Sequence, residues 1–148
     1  MNRISKRILI GICFLLIGIQ FIPTESNSQI ELSGHEIQSI YDIPNDVLEQ
    51  LESSCFDCHS NKTSYPWYSS VQPFRYFMDQ HIRDGKKELN FSEFGNYSQR
   101  RKRNKLSSII SQINDDKMPP SSYLLLHKNA KLSESEKLLI TNWVEDIK

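Results

Sequence analysis

Five consecutive residues carry the clearest chemical signal in the sequence: Cys55, Phe56, Asp57, Cys58 and His59. Two cysteines separated by two residues and followed directly by histidine form the C-x-x-C-H pattern of covalent haem attachment. The two thiols add to the two vinyl groups on one edge of haem, and the next residue lies beneath the ring, where an imidazole nitrogen binds the iron. The pattern therefore predicts a c-type haem held by Cys55, Cys58 and His59.

A C-x-x-C pair has other interpretations. A redox dithiol requires a thioredoxin-like βαβ context, and none follows the motif. A structural zinc site requires four ligands, usually including a second close pair, but Cys13 lies in an apolar N-terminal run, and His81 and His127 are too far apart to act as a pair. A disulfide and a chance match are the remaining alternatives. We favour haem because the motif and its context agree.

A second iron ligand is predicted in the loop that precedes the last helix. Met118 stands between predicted helices, and two prolines follow it directly. Enough chain separates it from His59 to wrap around the ring, and His/Met ligation raises the reduction potential, as an electron carrier requires. Met78 and His81 lie on a helix that must also pack. His127, in the same loop as Met118, is the main competitor for the sixth position.

Composition indicates one small domain with an additional segment. The chain has 148 residues, a formal net charge of zero and 38% hydrophobic residues. Many of the hydrophobic residues lie near the N-terminus, so the remaining core is thin and a large buried cofactor would supply apolar mass. Basic residues cluster between positions 99 and 105. We interpret them as a solvated helix face and expect no nucleic-acid partner.

Residues 1–25 are predicted to be a membrane anchor or an export signal. Arg3, Lys6 and Arg7 precede an uncharged run from Ile8 to Ile22, and no A-x-A cleavage site follows it. As a helix the run would be about 22 Å long, against about 30 Å for the bilayer core. We favour an uncleaved, single-pass anchor in the inner membrane, with the rest of the protein in the periplasm. A cleaved signal is the alternative.

Residues 26–43 are interpreted as a tether and residues 44–148 as the haem-binding domain. A helix capped by Asn45 or Asp46 leads into Cys55, and aromatic residues between positions 65 and 68 are expected to fill the core or to wall one edge of the porphyrin. A helix over 73–84 is predicted to end at Gly85, and another covers 99–113. The last helix begins at a capping box and buries one face. Its capping residues are Ser133 and Glu136, and its buried face is predicted to carry Leu138, Leu139, Trp143 and Ile147.

This order of elements resembles the all-α cytochrome c fold, in which the first and last helices cross and one haem lies between them. More narrowly, the chain resembles a short haem-binding domain family found in membrane-anchored proteins of Bacteroidetes-type bacteria. The likeness covers about residues 45–148 and extends to the short anchor. Tyr65 and Phe94 depart from it, because tryptophan is expected at both positions. The residues that carry the likeness are 55–61, 65–69, Gly85, 90–93, Met118, Pro119, Tyr123, His127, Ala130, Leu132, Glu136 and Trp143.

Three functions fit a single haem. The first, which we favour, is non-enzymatic electron transfer with redox partner proteins of the cell envelope. The second is a small peroxidase, which requires an open site on the iron and a neighbouring acid-base residue. The third is a haem-based sensor, in which a weak ligand is displaced. The resemblance implies haem binding more firmly than any one reaction.

Overall fold

The computed structural model describes residues 2–28 and 34–148, and within these ranges the chain is helical, without strands. A π-helical turn, Glu52–Phe56, joins the third helix to the fourth, and 3₁₀ turns occupy three of the connections, Trp67–Ser70, Phe91–Asn96 and Lys128–Ala130. The predicted all-α class is confirmed for these residues. The α-helices are α1 (Arg3–Ile19), α2 (Ile37–Ile40), α3 (Asn45–Leu51), α4 (Asp57–His59), α5 (Phe74–Glu88), α6 (Gln99–Asn114), α7 (Ser121–Leu124) and α8 (Glu134–Ile147).

The core lies between α3, α6 and α8. The last helix, α8, packs on both α6 and α3. Trp143 of α8 is 6% exposed, and its indole nitrogen donates to the carbonyl oxygen of Asp42 at 3.2 Å. Burying each large apolar side chain contributes about 1.5–3 kcal/mol. The fully buried side chains at this junction are Val47, Leu51, Leu106, Ile140 and Val144.

The boundaries of α8 agree with the sequence, and its predicted buried face is confirmed in part. The capping box is present: Ser133 Oγ accepts from the Glu136 amide, and the Glu136 carboxylate accepts from the Ser133 amide at 2.7 Å. Of the four residues predicted for this face, Trp143 is buried and Leu139 and Ile147 are partly buried against the core, whereas Leu138 is 59% exposed. Ile140 and Val144 take the inward positions, because the six apolar residues of this helix form two overlapping stripes and tertiary packing selects one.

Two predicted helix ends are wrong. Pro44 occupies the position before the first residue of α3, so neither Asn45 nor Asp46 caps that helix. Helix α5 continues through Gly85 to Glu88, so Gly85 lies inside the helix. The prediction treated this glycine as a stop signal, whereas its role is to allow a close approach, described below.

The sequence places the start of the domain at residue 44, but residues before this position already pack against the domain. Ile37 of α2 is 1% exposed, and α2 contacts the 3₁₀ turn Phe91–Asn96. Closer to the N-terminus, the Asn27 side chain donates to the carbonyl of Ser60 and the hydroxyl of Thr63 at 2.8 and 2.9 Å. Parts of the expected tether, 26–43, therefore lie against the domain. Its residues 29–33 are outside the described residues.

Helix α1 covers most of the predicted N-terminal segment, and none of its residues is buried. Gln20, just after it, forms two hydrogen bonds with the backbone of Gln72, to the nitrogen at 3.0 Å and the oxygen at 3.2 Å. Among residues 2–28 and 34–148, no helix has the length and apolar character needed to cross a membrane.

Candidate functional site

A cavity of about 500 Å³ lies between α4, α5, α6 and the segment after α6. Cofactor sites typically enclose about 300–1,000 Å³. Cys55, Cys58, His59 and Met118 all line this cavity. The fold thus brings together the four residues that the sequence predicts as haem contacts, three from one stretch and the fourth from a distant loop.

The imidazole of His59 is fixed by the end of α5. Its Nδ1 lies 3.0 Å from the carbonyl oxygens of both Gly85 and Leu89. A carbonyl only accepts hydrogen bonds, so Nδ1 carries a proton, and in the neutral ring Nε2 then keeps its lone pair. Burial lowers the pKa of His59, against the opposing effect of the two carbonyls. The ring is therefore a neutral imidazole, oriented as metal-binding histidines usually are, with the other nitrogen bonded to a carbonyl.

Gly85 allows α5 to lie directly against α4. A Cβ at this position would be 2.7 Å from the carbonyl oxygen of Cys58 and 3.3 Å from its carbonyl carbon. Backbone atoms cannot move aside as a flexible side chain can, so only glycine permits this contact. The same close approach places the Gly85 carbonyl within reach of His59.

Both cysteines of the motif are free thiols and partly buried. Burial raises the pKa of Cys55 to about 12, with a further contribution from Cys58. Burial also raises the pKa of Cys58 to about 11, with a contribution from the Asp57 carboxylate. Reactive dithiols need a lowered pKa to form thiolate at neutral pH. This environment keeps both groups protonated, which disfavours a redox dithiol.

Met118 follows a turn that ends α6. Asp116 adopts a left-handed φ of 55°, which aspartate tolerates better than most residues. Its carboxylate accepts from Lys137 of α8 at 2.7 Å. The amide of Met118 donates to the carbonyl of Gln112 at 3.1 Å. The backbone is tied to α6 and α8 around the turn, while the Met118 residue remains 38% exposed.

His127, the expected competitor of Met118, does not line the cavity with the cysteines. It lies at a smaller cavity of about 290 Å³. Its Nδ1 is 3.1 Å from the carbonyl oxygen of Tyr123, and its Nε2 is 3.2 Å from the hydroxyl of Tyr68. Both ring nitrogens are engaged. His81, interpreted from sequence as packing or surface, does line the larger cavity, which makes it the imidazole that competes with Met118.

Asp57 and Tyr123 form a contact that sequence reasoning missed. The Tyr123 hydroxyl donates to Asp57 Oδ2 at 2.8 Å, and Asp57 Oδ1 accepts from the amide of Ser64 at 2.8 Å. Burial, followed by the hydrogen bond to Asp57, raises the pKa of Tyr123. The one feature of the sequence that could have pointed to this contact is the position of Asp57 between the two cysteines.

A polar cross-link holds the chain directly after His59. The backbone N–H of Asn61 donates to the Ser92 hydroxyl at 3.0 Å, and the side-chain amide of Asn90 donates to Asn61 Oδ1 at 2.8 Å. Asn90 also caps the 3₁₀ turn, accepting from the Ser92 amide. These hydrogen bonds hold the chain just after the C-x-x-C-H stretch against the 3₁₀ turn that carries the buried side chain of Phe91.

The aromatic loop does not wall the larger cavity. Neither Tyr65, Trp67 nor Tyr68 lines it, and Trp67 is 84% exposed. The loop forms the 3₁₀ turn Trp67–Ser70, and the lining of this cavity gives no support to the prediction that these three side chains cover the porphyrin edge.

The residues around the larger cavity fit a haem. The cavity offers a neutral imidazole with its Nε2 available, two protonated thiols, a thioether, and apolar side chains that include Phe91, Ile109 and Ile113. Lys105, paired with Glu88 at 3.2 Å, also lines it and could face a haem carboxylate. The donor set matches histidine and methionine ligation of haem iron with thiol attachment.

The all-helical fold and this donor set are compatible with a haem-binding protein. The chain belongs to the haem-binding domain family, whose model matches residues 14–146. The match spans the N-terminal helix from Phe14, the segment before α3, and the whole cavity. Searches of curated proteins and of solved structures returned no match.

Proposed function

We propose that this haem-binding protein attaches one haem covalently through Cys55 and Cys58, binds its iron through His59 and Met118, and transfers electrons. The observation that carries the proposal is the convergence of these four side chains on one cavity. When bound, haem supplies an iron that cycles between the ferric and ferrous states. The protein's part is to attach, orient and enclose it.

Each residue has a distinct role in the proposal. The thiols of Cys55 and Cys58 each add across a vinyl group, the sulfur bonding to one carbon and the hydrogen to the other, so attachment requires no oxidant. The Gly85 and Leu89 carbonyls hold the His59 ring with Nε2 available for iron. Met118 offers a thioether, which suits ferrous iron and raises the reduction potential.

An enzymatic or sensing role is the second candidate, and His81 is the observation in its favour. This imidazole lines the cavity, and its Nδ1 lies 2.9 Å from the carbonyl of Phe77, which leaves Nε2 to act on a ligand. A peroxidase would need such an acid-base group beside an open iron position. Met118 ligation leaves no open position, so electron transfer is the function we propose.

For the location, we propose that α1 associates the protein with the inner membrane, with the haem domain on the periplasmic side and redox proteins of the envelope as partners. The largely exposed apolar surface of α1, none of whose residues is buried, supports this proposal, as does the cluster of Arg3, Lys6 and Arg7 at its start. The hydrogen bonds between Gln20 and Gln72 would keep the domain close to the end of α1.

Mass spectrometry of denatured protein tests the attachment. The full chain is produced in a host with c-type maturation machinery, and the expected mass is that of the polypeptide plus one haem. Cys55→Ala and Cys58→Ala should each leave one thioether, and the double variant should release its haem on denaturation. Cys13→Ala is the matched control, because Cys13 is exposed on α1, and it should retain the haem. A bare polypeptide mass from the wild type would refute covalent attachment.

A further inference from the structure

A hydrogen bond joins the C-x-x-C stretch to the loop that carries Met118. Asp57 lies between the two cysteines, and Tyr123 lies five residues after Met118. Their oxygens are 2.8 Å apart, with the phenol donating to the carboxylate. Both residues line the larger cavity. The bond therefore connects two walls of the same cavity that are distant in sequence.

Each end of this bond is held by neighbours. The second oxygen of Asp57 accepts from the Ser64 amide at 2.8 Å, which fixes the orientation of the carboxylate. The Tyr123 ring stacks on His127, with centroids 4.0 Å apart and planes 10° apart. The imidazole donates from Nδ1 to the Tyr123 carbonyl and accepts at Nε2 from the Tyr68 hydroxyl. Tyr123 is thus held by its ring, its backbone and its hydroxyl.

The position of Met118 depends on the two ends of its loop. The residue is 38% exposed, so side-chain packing alone restrains it weakly. At the N-terminal end, the amides of Lys117 and Met118 donate to the Gln112 carbonyl at 2.9 and 3.1 Å. At the other end, the hydroxyl of Tyr123 is bonded to Asp57.

We propose that Asp57 and Tyr123 are a positioning pair that holds the Met118 loop closed over the haem and so sets how often the methionine leaves the iron. The inference rests on the proposed function, in which Met118 is an axial ligand. Loss of the phenol hydroxyl removes one hydrogen bond to a charged group, and it should increase opening of the loop by about tenfold to a hundredfold. His127 then acts through Tyr123 and not as an iron ligand.

Tyr123→Phe is the main test, because it keeps the ring and its stacking on His127 and removes only the hydroxyl. Asp57→Asn is the second variant: the carboxylate accepts two hydrogen bonds through separate oxygens, whereas an amide offers one accepting oxygen. Tyr97→Phe is the matched control. The hydroxyl of Tyr97 accepts from the Asn90 amide at 2.9 Å, and Tyr97 does not line the cavity.

The first measurement is the rate at which ferrous protein binds CO, which requires Met118 to leave the iron. We expect a rise of about tenfold or more in Tyr123→Phe and in Asp57→Asn, and no further rise in the double variant, because both changes break the same bond. Tyr97→Phe should leave the rate unchanged. Equal rates in Tyr123→Phe and wild type, with only a stability loss like that of the control, would show a merely structural bond and overturn the inference.

The second measurement is amide hydrogen exchange of residues 117–126, in haem-loaded and haem-free full-length protein. Faster exchange in Tyr123→Phe than in wild type is expected in both forms, and unchanged exchange would overturn the inference that the bond between Asp57 and Tyr123 holds the loop closed. This result does not depend on Met118 ligation. Rapid CO binding by the wild type would refute ligation by Met118, and with it the proposed effect of the Asp57–Tyr123 pair on that ligand. The exchange experiment decides separately whether the hydrogen bond between Asp57 and Tyr123 holds the loop.

Discussion

The carbonyl oxygen of Gly85 lies 3.0 Å from Nδ1 of His59, although 26 residues separate them in the chain. The same glycine is the point where α5 contacts the Cys58 backbone. Helix α5 therefore performs two tasks at one residue: it packs against the cysteine stretch, and it sets the tautomer and direction of the imidazole. The site depends on this helix as much as on the C-x-x-C-H residues themselves.

Replacing Gly85 with alanine should damage the site. The new Cβ would lie 2.7 Å from the Cys58 carbonyl oxygen, and relieving such overpacking typically costs about 1–3 kcal/mol. We expect a lower free energy of unfolding in urea and less haem per polypeptide. Gly18→Ala in α1 is the control, because its Cβ would meet nothing within 4 Å. Equal haem content and stability in Gly85→Ala and wild type would contradict the close approach.

The capping box of α8 predicts a pH dependence of stability. Hydrogen bonds from the Ser133 hydroxyl and amide lower the pKa of Glu136 below its ordinary value of 4.5. A carboxylate with a lowered folded-state pKa stabilises the protein above its unfolded pKa, and that contribution is lost as pH falls through the folded value. The wild type should be more stable than Glu136→Gln at pH 7, with the difference shrinking below about pH 4.5.

Urea unfolding of both proteins at a series of pH values checks this expectation. Glu145→Gln is the control on the same helix, since Glu145 makes an exposed contact with Lys148 at 3.5 Å and takes no part in the capping box. A difference between wild type and Glu136→Gln that stays constant from pH 7 to pH 3 would contradict the capping-box account.

The proposed location predicts how the protein partitions between cell fractions. Because the apolar side chains of α1 are exposed, we expect the full chain in the membrane pellet, released by detergent and not by high salt. A variant exported by a cleavable signal and starting at Thr24 should be soluble in the periplasm and keep its haem. Recovery of the full chain, with its N-terminus intact, in the soluble fraction would contradict membrane association.

The features that the sequence predicts correctly are those encoded by residues close together in the chain. The C-x-x-C-H stretch, the capping box at Ser133 and the helical spacing of Leu106, Ile109 and Ile113 are contiguous patterns, and the structure has helices at these places. The prediction for Gly85 is wrong because a glycine near the end of a helical pattern is compatible with either a helix stop or a close approach. Only the position of the Cys58 backbone distinguishes the two.

The ranking of the two candidate imidazoles failed for the same reason. The sequence favours His127 as the competitor because it shares a loop with Met118, but its ring nitrogens face Tyr123 and Tyr68. The position of His81 on a helix predicts a packing or surface role, yet His81 lines the cavity. Tertiary contacts decide which face of a loop or helix reaches the site, and nothing in the local pattern encodes those contacts.

The central claim, one haem held between His59 and Met118, is tested most directly by absorption spectra of the purified full chain, oxidised, reduced, and reduced with CO. The account predicts the weak long-wavelength band of ferric methionine-ligated haem in the wild type and slow CO binding in the ferrous form. Met118→Ala should lose the band and bind CO readily, while His81→Ala and His127→Ala keep the band. A wild type without the band, or a band that survives in Met118→Ala, would contradict the account and make His81 the next residue to replace.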